Sequence, residues 1–413
     1  MRRLLAVTLS ALALGAAQAD PISVLFVGNS YTFGRVDPVM SYNTANVRDL
    51  TAPMWLASPE GSNAFEPHPW GGVAGIFKQF TVQAGLDYDV ALSTRNAASL
   101  RGHMLNSNPA GWDMRGNIAS QTWNKVVLQE QSDEPLLRRD GLASNPEYFR
   151  YYADAIEDFV HSSNPTGTLR NRDAFAGATS AERQAACIAA GISSGTCSID
   201  RGSYTNSFAS AATEMFLYQT WARPNLVDGA FVTLTDETTG AVTRTGNAAT
   251  TYFSDLESMT AELKAGYQAA FDQARADGSI GFSAIAPVGE SFLRAVTSGV
   301  ATRDMYAADA LTDGLIDLWF DDGAHASKYG SYLSALTLFG TLTGLDPASL
   351  GAGEIAAQEL GISVAQALAL QRVASDQLGF AAPVPEPETY AMLLAGLGLL
   401  GVAARRRRRL QQA

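Results

Sequence analysis

Two cysteines and four histidines are all that 413 residues offer of the side chains most used for metal binding and redox chemistry. Cys187 and Cys197 lie ten apart, with no CxxC spacing, which argues against a dithiol redox centre. No metal-ligand spacing surrounds them, and neither a metal nor a cofactor is expected. There is no internal repeat. The apolar run Tyr390 to Ala404 falls short of the about 20 residues of a comfortable membrane span. Positive charge is scarce: 29 Lys and Arg stand against 41 Asp and Glu, a net charge of −12. Such a surface repels phosphate backbones, so nucleic acid is not expected as a partner.

Both ends read as processing signals. Met1-Arg2-Arg3, the apolar stretch Leu4 to Ala16 and the small residues Ala17-Gln18-Ala19 form a secretory leader, residues 1–19, with a mature start at Asp20. In an exported chain, Cys187 and Cys197 read as a disulfide closing a small loop. At the other end, Val384-Pro385-Glu386-Pro387-Glu388 precedes the short apolar run, and Arg405 to Arg409 follow it. Residues 384–413 resemble a PEP-CTERM sorting signal. The resemblance implies export, transient retention in the inner membrane and tail removal by an exosortase. It also implies a Gram-negative bacterium that makes extracellular polysaccharide, with the protein in its periplasm, at its surface or in its matrix. A permanent C-terminal anchor is the alternative. Without the leader's two arginines and the tail's five arginines and two glutamates, the body keeps 22 basic and 39 acidic residues, a net charge of −17.

Residues 20–380 suit one domain with insertions. Strands are expected at Ile22 to Val27, Tyr88 to Leu92, Lys125 to Gln129, Glu214 to Gln219 and Ile280 to Pro287. Helices are expected over Val73 to Ala84, Glu147 to Val160, Asp255 to Ala276, Ser327 to Phe339 and Ile355 to Gln377. Short apolar strands alternating with helices indicate an α/β protein with a parallel sheet covered on both faces. Two regions interrupt the alternation, at about 35–72 and 164–208, and read as insertions. Thr233 to Thr250 suggests a hairpin.

The chemistry gathers at two distant places. Val24 to Thr32, VLFVGNSYT, is a buried strand that ends in a tight turn at Gly28-Asn29-Ser30. A serine there presents its hydroxyl at the carboxyl edge of the sheet, where open α/β sheets bind ligands. Near the other end of the body, Asp322-Gly323-Ala324-His325 sets a carboxylate three residues before a histidine. Across one turn that carboxylate reaches Nδ1 and leaves Nε2 for a serine. Asp321 is the next candidate for this role.

Gly28-Asn29-Ser30-Tyr31-Thr32 and Asp322-Gly323-Ala324-His325 together resemble the nucleophile and DxxH blocks of the SGNH/GDSL hydrolase superfamily, in its GNS-[FY]-T branch. The resemblance implies a flavodoxin-like three-layer α/β/α sandwich. It implies Ser30 as nucleophile, His325 as general base and then acid, and Asp322 as the group that holds His325. The backbone N–H of Ser30 would be one oxyanion donor. Ala97 falls where the family places an oxyanion glycine. A gapless match puts Asp133 at the family's Asn position, where a carboxylate would oppose an oxyanion. Gln131 is the preferred side-chain donor, alternating from Gln129 onto the same side.

Trp221 and Arg223 follow the fourth strand and are candidate substrate contacts, with core packing the equal reading for Trp221. His103 reads as a surface residue and His68 as loop packing. The implied activity is hydrolysis of O-acyl, including O-acetyl, esters by way of an acyl-serine. The partner would be an ester-bearing small molecule or an acylated extracellular polysaccharide. An acyltransferase on the same triad is one alternative. A non-catalytic polysaccharide-associated surface protein is the other.

Overall fold

The first strand, β1 (Ile22–Gly28), is buried along almost its whole length because both of its faces are covered. Val24 and Phe26 point into one apolar cluster, Leu25 and Val27 into the other. This is the environment that an unbroken apolar strand requires. Five further strands complete a parallel sheet: β2 (Val47–Asp49), β3 (Tyr88–Thr94), β4 (Lys125–Gln129), β5 (Glu214–Tyr218) and β6 (Ala284–Ala286). Their order is β6-β5-β4-β1-β3-β2. Without the edge strand β2, this is the flavodoxin-like order, in which the chain reverses direction across the sheet beside β1. The computed structural model describes residues 20–57, 68–105, 113–163, 167–202, 204–228, 232–235, 242–245, 251–307, 309–310 and 312–380. The leader expected over residues 1–19 and the sorting tail lie outside the described residues.

Helices cover both faces. On the side of Val24 and Phe26 lie α2 (Gly72–Gln83), α6 (Val288–Thr297), α7 (Lys328–Thr343) and α8 (Val364–Leu378). On the side of Leu25 and Val27 lie α3 (Leu100–Leu105), α4 (Pro146–His161) and the second half of α5 (Leu256–Ala276), whose first half packs into the other cluster through Leu256, Met259 and Leu263. A one-turn helix, α1 (Ser30–Phe33), leaves the end of β1. Pro146 opens α4, where its missing N–H costs nothing. Asp255 caps α5 by accepting the N–H of Ser258.

Three expectations change. The 35–72 region is not wholly an insertion: Val47–Asp49 adds the edge strand and pairs with β3. The helix expected over 355–377 is two helices, Ile355–Glu359 and α8, divided where Gly361 takes φ +65°. Helix α6 was not anticipated, and the fifth strand spans only three residues. The 164–208 region carries helices Ser180–Ala189 and Ser194–Cys197, joined by the disulfide Cys187–Cys197. Val232–Thr235 and Val242–Thr245 pair as an antiparallel hairpin. No helix among the described residues is long and apolar enough to cross a membrane.

Candidate active site

Four strand ends, those of β1, β3, β4 and β5, and the loop around His325 build the site. After β1 the chain turns through Asn29 into Ser30. At Gly28 a Cβ would come within 2.4 Å of Thr32 Oγ1 and 2.5 Å of Gln129 Oε1, so glycine is required by close approach. Below the turn, Gln129 Oε1 accepts both the N–H of Asn29 and the hydroxyl of Thr32, each at 2.9 Å. Asn29 accepts the N–H of Tyr31 through Oδ1 and donates Nδ2–H to Ala98 O, both at 3.0 Å. Ser30 is thus seated on a turn whose polar groups are paired with β4 and with the loop after β3.

The serine meets the distant histidine. Ser30 Oγ lies 2.8 Å from His325 Nε2, and His325 Nδ1 lies 2.6 Å from Asp322 Oδ2. The other Asp322 oxygen accepts the N–H of Ala324 and of His325, each at 2.9 Å. Burial pushes the Asp322 carboxyl up, but the hydrogen bonds from the His325 ring and the two backbone N–H groups outweigh it. They hold the group below the usual carboxylate range. An ionised Asp322 fixes the Nδ1–H tautomer, which leaves Nε2 free to accept the serine proton. Asp321 is exposed and takes no part. Gly323 takes φ +65° in this turn, and a Cβ there would lie 2.0 Å from Tyr306 Oη.

The hydroxyl opens into a cleft of about 300 Å³ lined by Asn29, Ser30, Tyr31, Arg35, Asn96, Ala97, Gln131, Ser132, Arg223, Ala324 and His325. Ala97 has φ +53°, the left-handed backbone that usually favours glycine. Its N–H has no hydrogen-bond acceptor among the described residues, and neither does that of Ser30. Gln131 lies in the cleft with its Oε1 accepting the N–H of Asp133 at 3.1 Å. That bond leaves Nε2 as the free donor.

The route by which Gln131 gets there differs from the alternation argument. Strand β4 ends at Gln129, which is fully buried under Asn29, while Gln131 lies beyond the strand. Asp133 is buried, outside the cleft wall, with Oδ2 3.8 Å from Arg223 Nη1.

Arg223 lines the cleft, held by Ser132 Oγ at 2.9 Å and Asn225 Oδ1 at 3.2 Å. Trp221 does not: of its two readings, substrate contact and core packing, the structure gives the second. It is fully buried, stacked between Tyr31 at 4.3 Å and Phe292 at 4.7 Å. Its Nε1–H donates to Ala324 O at 3.0 Å, so it braces the histidine loop from beneath. Tyr31, stacked on Trp221 and edge-on to His325, has its phenol pushed up to about 12 by burial.

The other histidines are engaged elsewhere. His68 Nδ1 meets Asp49 Oδ2 at 2.5 Å, and His161 Nδ1 meets Glu157 Oε1 at 2.6 Å. His103 is buried, contrary to the surface reading, and its Nε2–H donates to Gly28 O at 2.8 Å. Sequence reasoning passed over Asn96 and Arg35 as cleft residues. The position of Asn96 beside Ala97 was the signal for the first; Arg35, at the start of an irregular region, gave none.

No curated protein matches the sequence significantly. Among solved structures, similarity extends to a candidate SGNH hydrolase from Slackia heliotrinireducens, at 16% identity over 78% of this chain and 100% of that one, with a TM-score of 0.34. A DUF4886 family protein from Bacteroides uniformis matches at 13% identity over 89% and 99% of the two chains, with a TM-score of 0.39. A candidate GDSL-like lipase from Parabacteroides merdae matches at 11% identity over 78% and 96%, with a TM-score of 0.36. Residues 383–409 match the PEP-CTERM protein-sorting motif, so the chain carries near its C-terminus a signal that implies export and processing by an exosortase.

Proposed function

We propose that the protein is an exported serine ester hydrolase that removes short O-acyl groups, with Ser30 as nucleophile. The observation that carries this reading is the hydrogen-bonded series Ser30 Oγ, His325 Nε2, His325 Nδ1, Asp322 Oδ2, at 2.8 and 2.6 Å. Ser30 Oγ attacks the ester carbonyl carbon and passes its proton to His325 Nε2. The tetrahedral oxyanion is met by the N–H groups of Ser30 and Ala97 and by Gln131 Nε2. His325 then protonates the departing alcohol oxygen, leaving an acyl-Ser30. Water, deprotonated by the same imidazole, attacks that ester and restores the serine.

The cleft wall supports a small acyl group and a hydroxylated leaving group. Among the described residues, no Leu, Ile, Val, Met or Phe lines it, so a long acyl chain would find little apolar surface to bury against. Asn96, Gln131, Ser132 and Arg223 instead offer the donors that suit a sugar. With the sorting motif, this favours acylated extracellular polysaccharide as the substrate, with Arg223 among its contacts. The purified protein should hydrolyse p-nitrophenyl acetate, and a fluorophosphonate should label it at Ser30, mapped by mass spectrometry. Ser30→Ala should lower turnover at least about 10³-fold. Equal rates for wild type and Ser30→Ala would favour the non-catalytic role, and acyl transfer to an added sugar in competition with water would favour the transferase.

A further inference from the structure

We infer that Glu130 is a positioning residue that ties together the two loops carrying the oxyanion donors, through one carboxyl oxygen shared between them. The inference rests on the ester-hydrolase reading of the site. Glu130 follows the last residue of β4 and is 1% exposed. It does not line the cleft. Its Oε1 accepts the N–H of Leu100 at 2.9 Å and the N–H of Gln131 at 2.7 Å. Leu100 stands three residues after the left-handed Ala97 and opens α3. Gln131 carries the side-chain donor.

The loop between Ala97 and Leu100 is therefore pinned at two points, by Asn29 at Ala98 O and by Glu130 at Leu100 N–H. Without the second, the Ala97 N–H and the Gln131 amide are no longer held to one spacing. A small loss of alignment is costly at such a site, because its donors work only if already aimed at the developing charge.

Burial, with Glu134 beside it, pushes the Glu130 carboxyl well above the usual carboxylate range, against the opposing pull of the two N–H groups and Arg101. A neutral carboxyl still accepts both bonds, and so does an amide oxygen. Glutamine should therefore replace it, while methionine, of similar reach, offers no acceptor. Aspartate keeps the acid but withdraws it by one methylene.

The test uses the purified full chain. Glu130→Met and Glu130→Asp should lower kcat about 10- to 100-fold with KM within about threefold, and Glu130→Gln should recover most of the loss. In Glu130→Met and Glu130→Asp, amide exchange over residues 96–101 and 130–133 should quicken at least about tenfold while β1 keeps its protection. Turnover within about threefold of wild type in both, a loss carried by KM alone, or an exchange increase spread evenly over the sheet would overturn the inference. If Ser30 of the wild type takes no fluorophosphonate, the hydrolase reading fails separately, and the exchange measurement alone decides whether Glu130 couples the loops.

Discussion

His103 sits behind the Gly28–Ser30 turn with its Nε2–H on the carbonyl of Gly28. Burial holds its imidazole down at about 4, with Arg95 adding to the effect and the Gly28 carbonyl opposing it. The unfolded chain takes up a proton at about 6.5, which the native state refuses until about pH 4. Stability is therefore full above pH 6.5 and falls as the pH drops, by about 3 kcal/mol in all. Urea midpoints measured from pH 7 to pH 4 should show this fall, and His103→Gln should flatten it; an unchanged slope in the variant would assign the acid sensitivity elsewhere. The same residue shows where sequence reasoning reached its limit. The segments carrying Ser30 and Asp322-His325 stand out in the sequence because each pattern is local: a glycine turn after an apolar strand, and an acid one turn before a histidine. That the two would meet across 295 residues followed only from the resemblance to a known family. The burial of His103, and the work of Gln129 and Glu130 beneath the turn, come from a hundred residues or fewer of separation bridged only by the folded sheet. No spacing announces them.

The strands and helices that alternate strongly were legible for a related reason. Lys125–Gln129 is buried at every position, and its apolar run could be nothing but a central strand. Val47–Asp49 has three residues and a single branched apolar side chain, so its pairing with β3 is imposed by the neighbouring strand. Its place after a strand left Trp221 open between cleft and core, and two aromatic faces to stack on decide for the core. At this scale the disulfide is open to test. Cys187–Cys197 ties helix Ser180–Ala189 to helix Ser194–Cys197, across a sequence separation of 10. Closing so short a loop stabilises the fold by about 3 kcal/mol in the chain-entropy account. None of these residues touches the cleft. Replacing both cysteines by serine should lower the Tm by several degrees and leave kcat/KM for p-nitrophenyl acetate within about twofold; a large kinetic loss would connect this region to the site.

In the molecule as a whole, the parallel sheet brings the ends of β1, β3 and β4 to one edge, and the cleft lies there. The sorting motif begins at residue 383, three residues after the last described one, and the cleft takes no residue from α8. On the ester-hydrolase reading, ending the chain before Val384 should therefore leave the kinetics with p-nitrophenyl acetate within about twofold of the full chain, while the protein is released to the medium or trapped in the periplasm. Persistent membrane association of the shortened chain would show that another segment holds it there. Ser30 and His325 stand 295 residues apart in the chain. In synthesis, the segment that carries Ser30 is made early and the one that carries His325 late. Until the chain between them has folded, Ser30 lacks the hydrogen bond to His325 that sets it apart from the other serines.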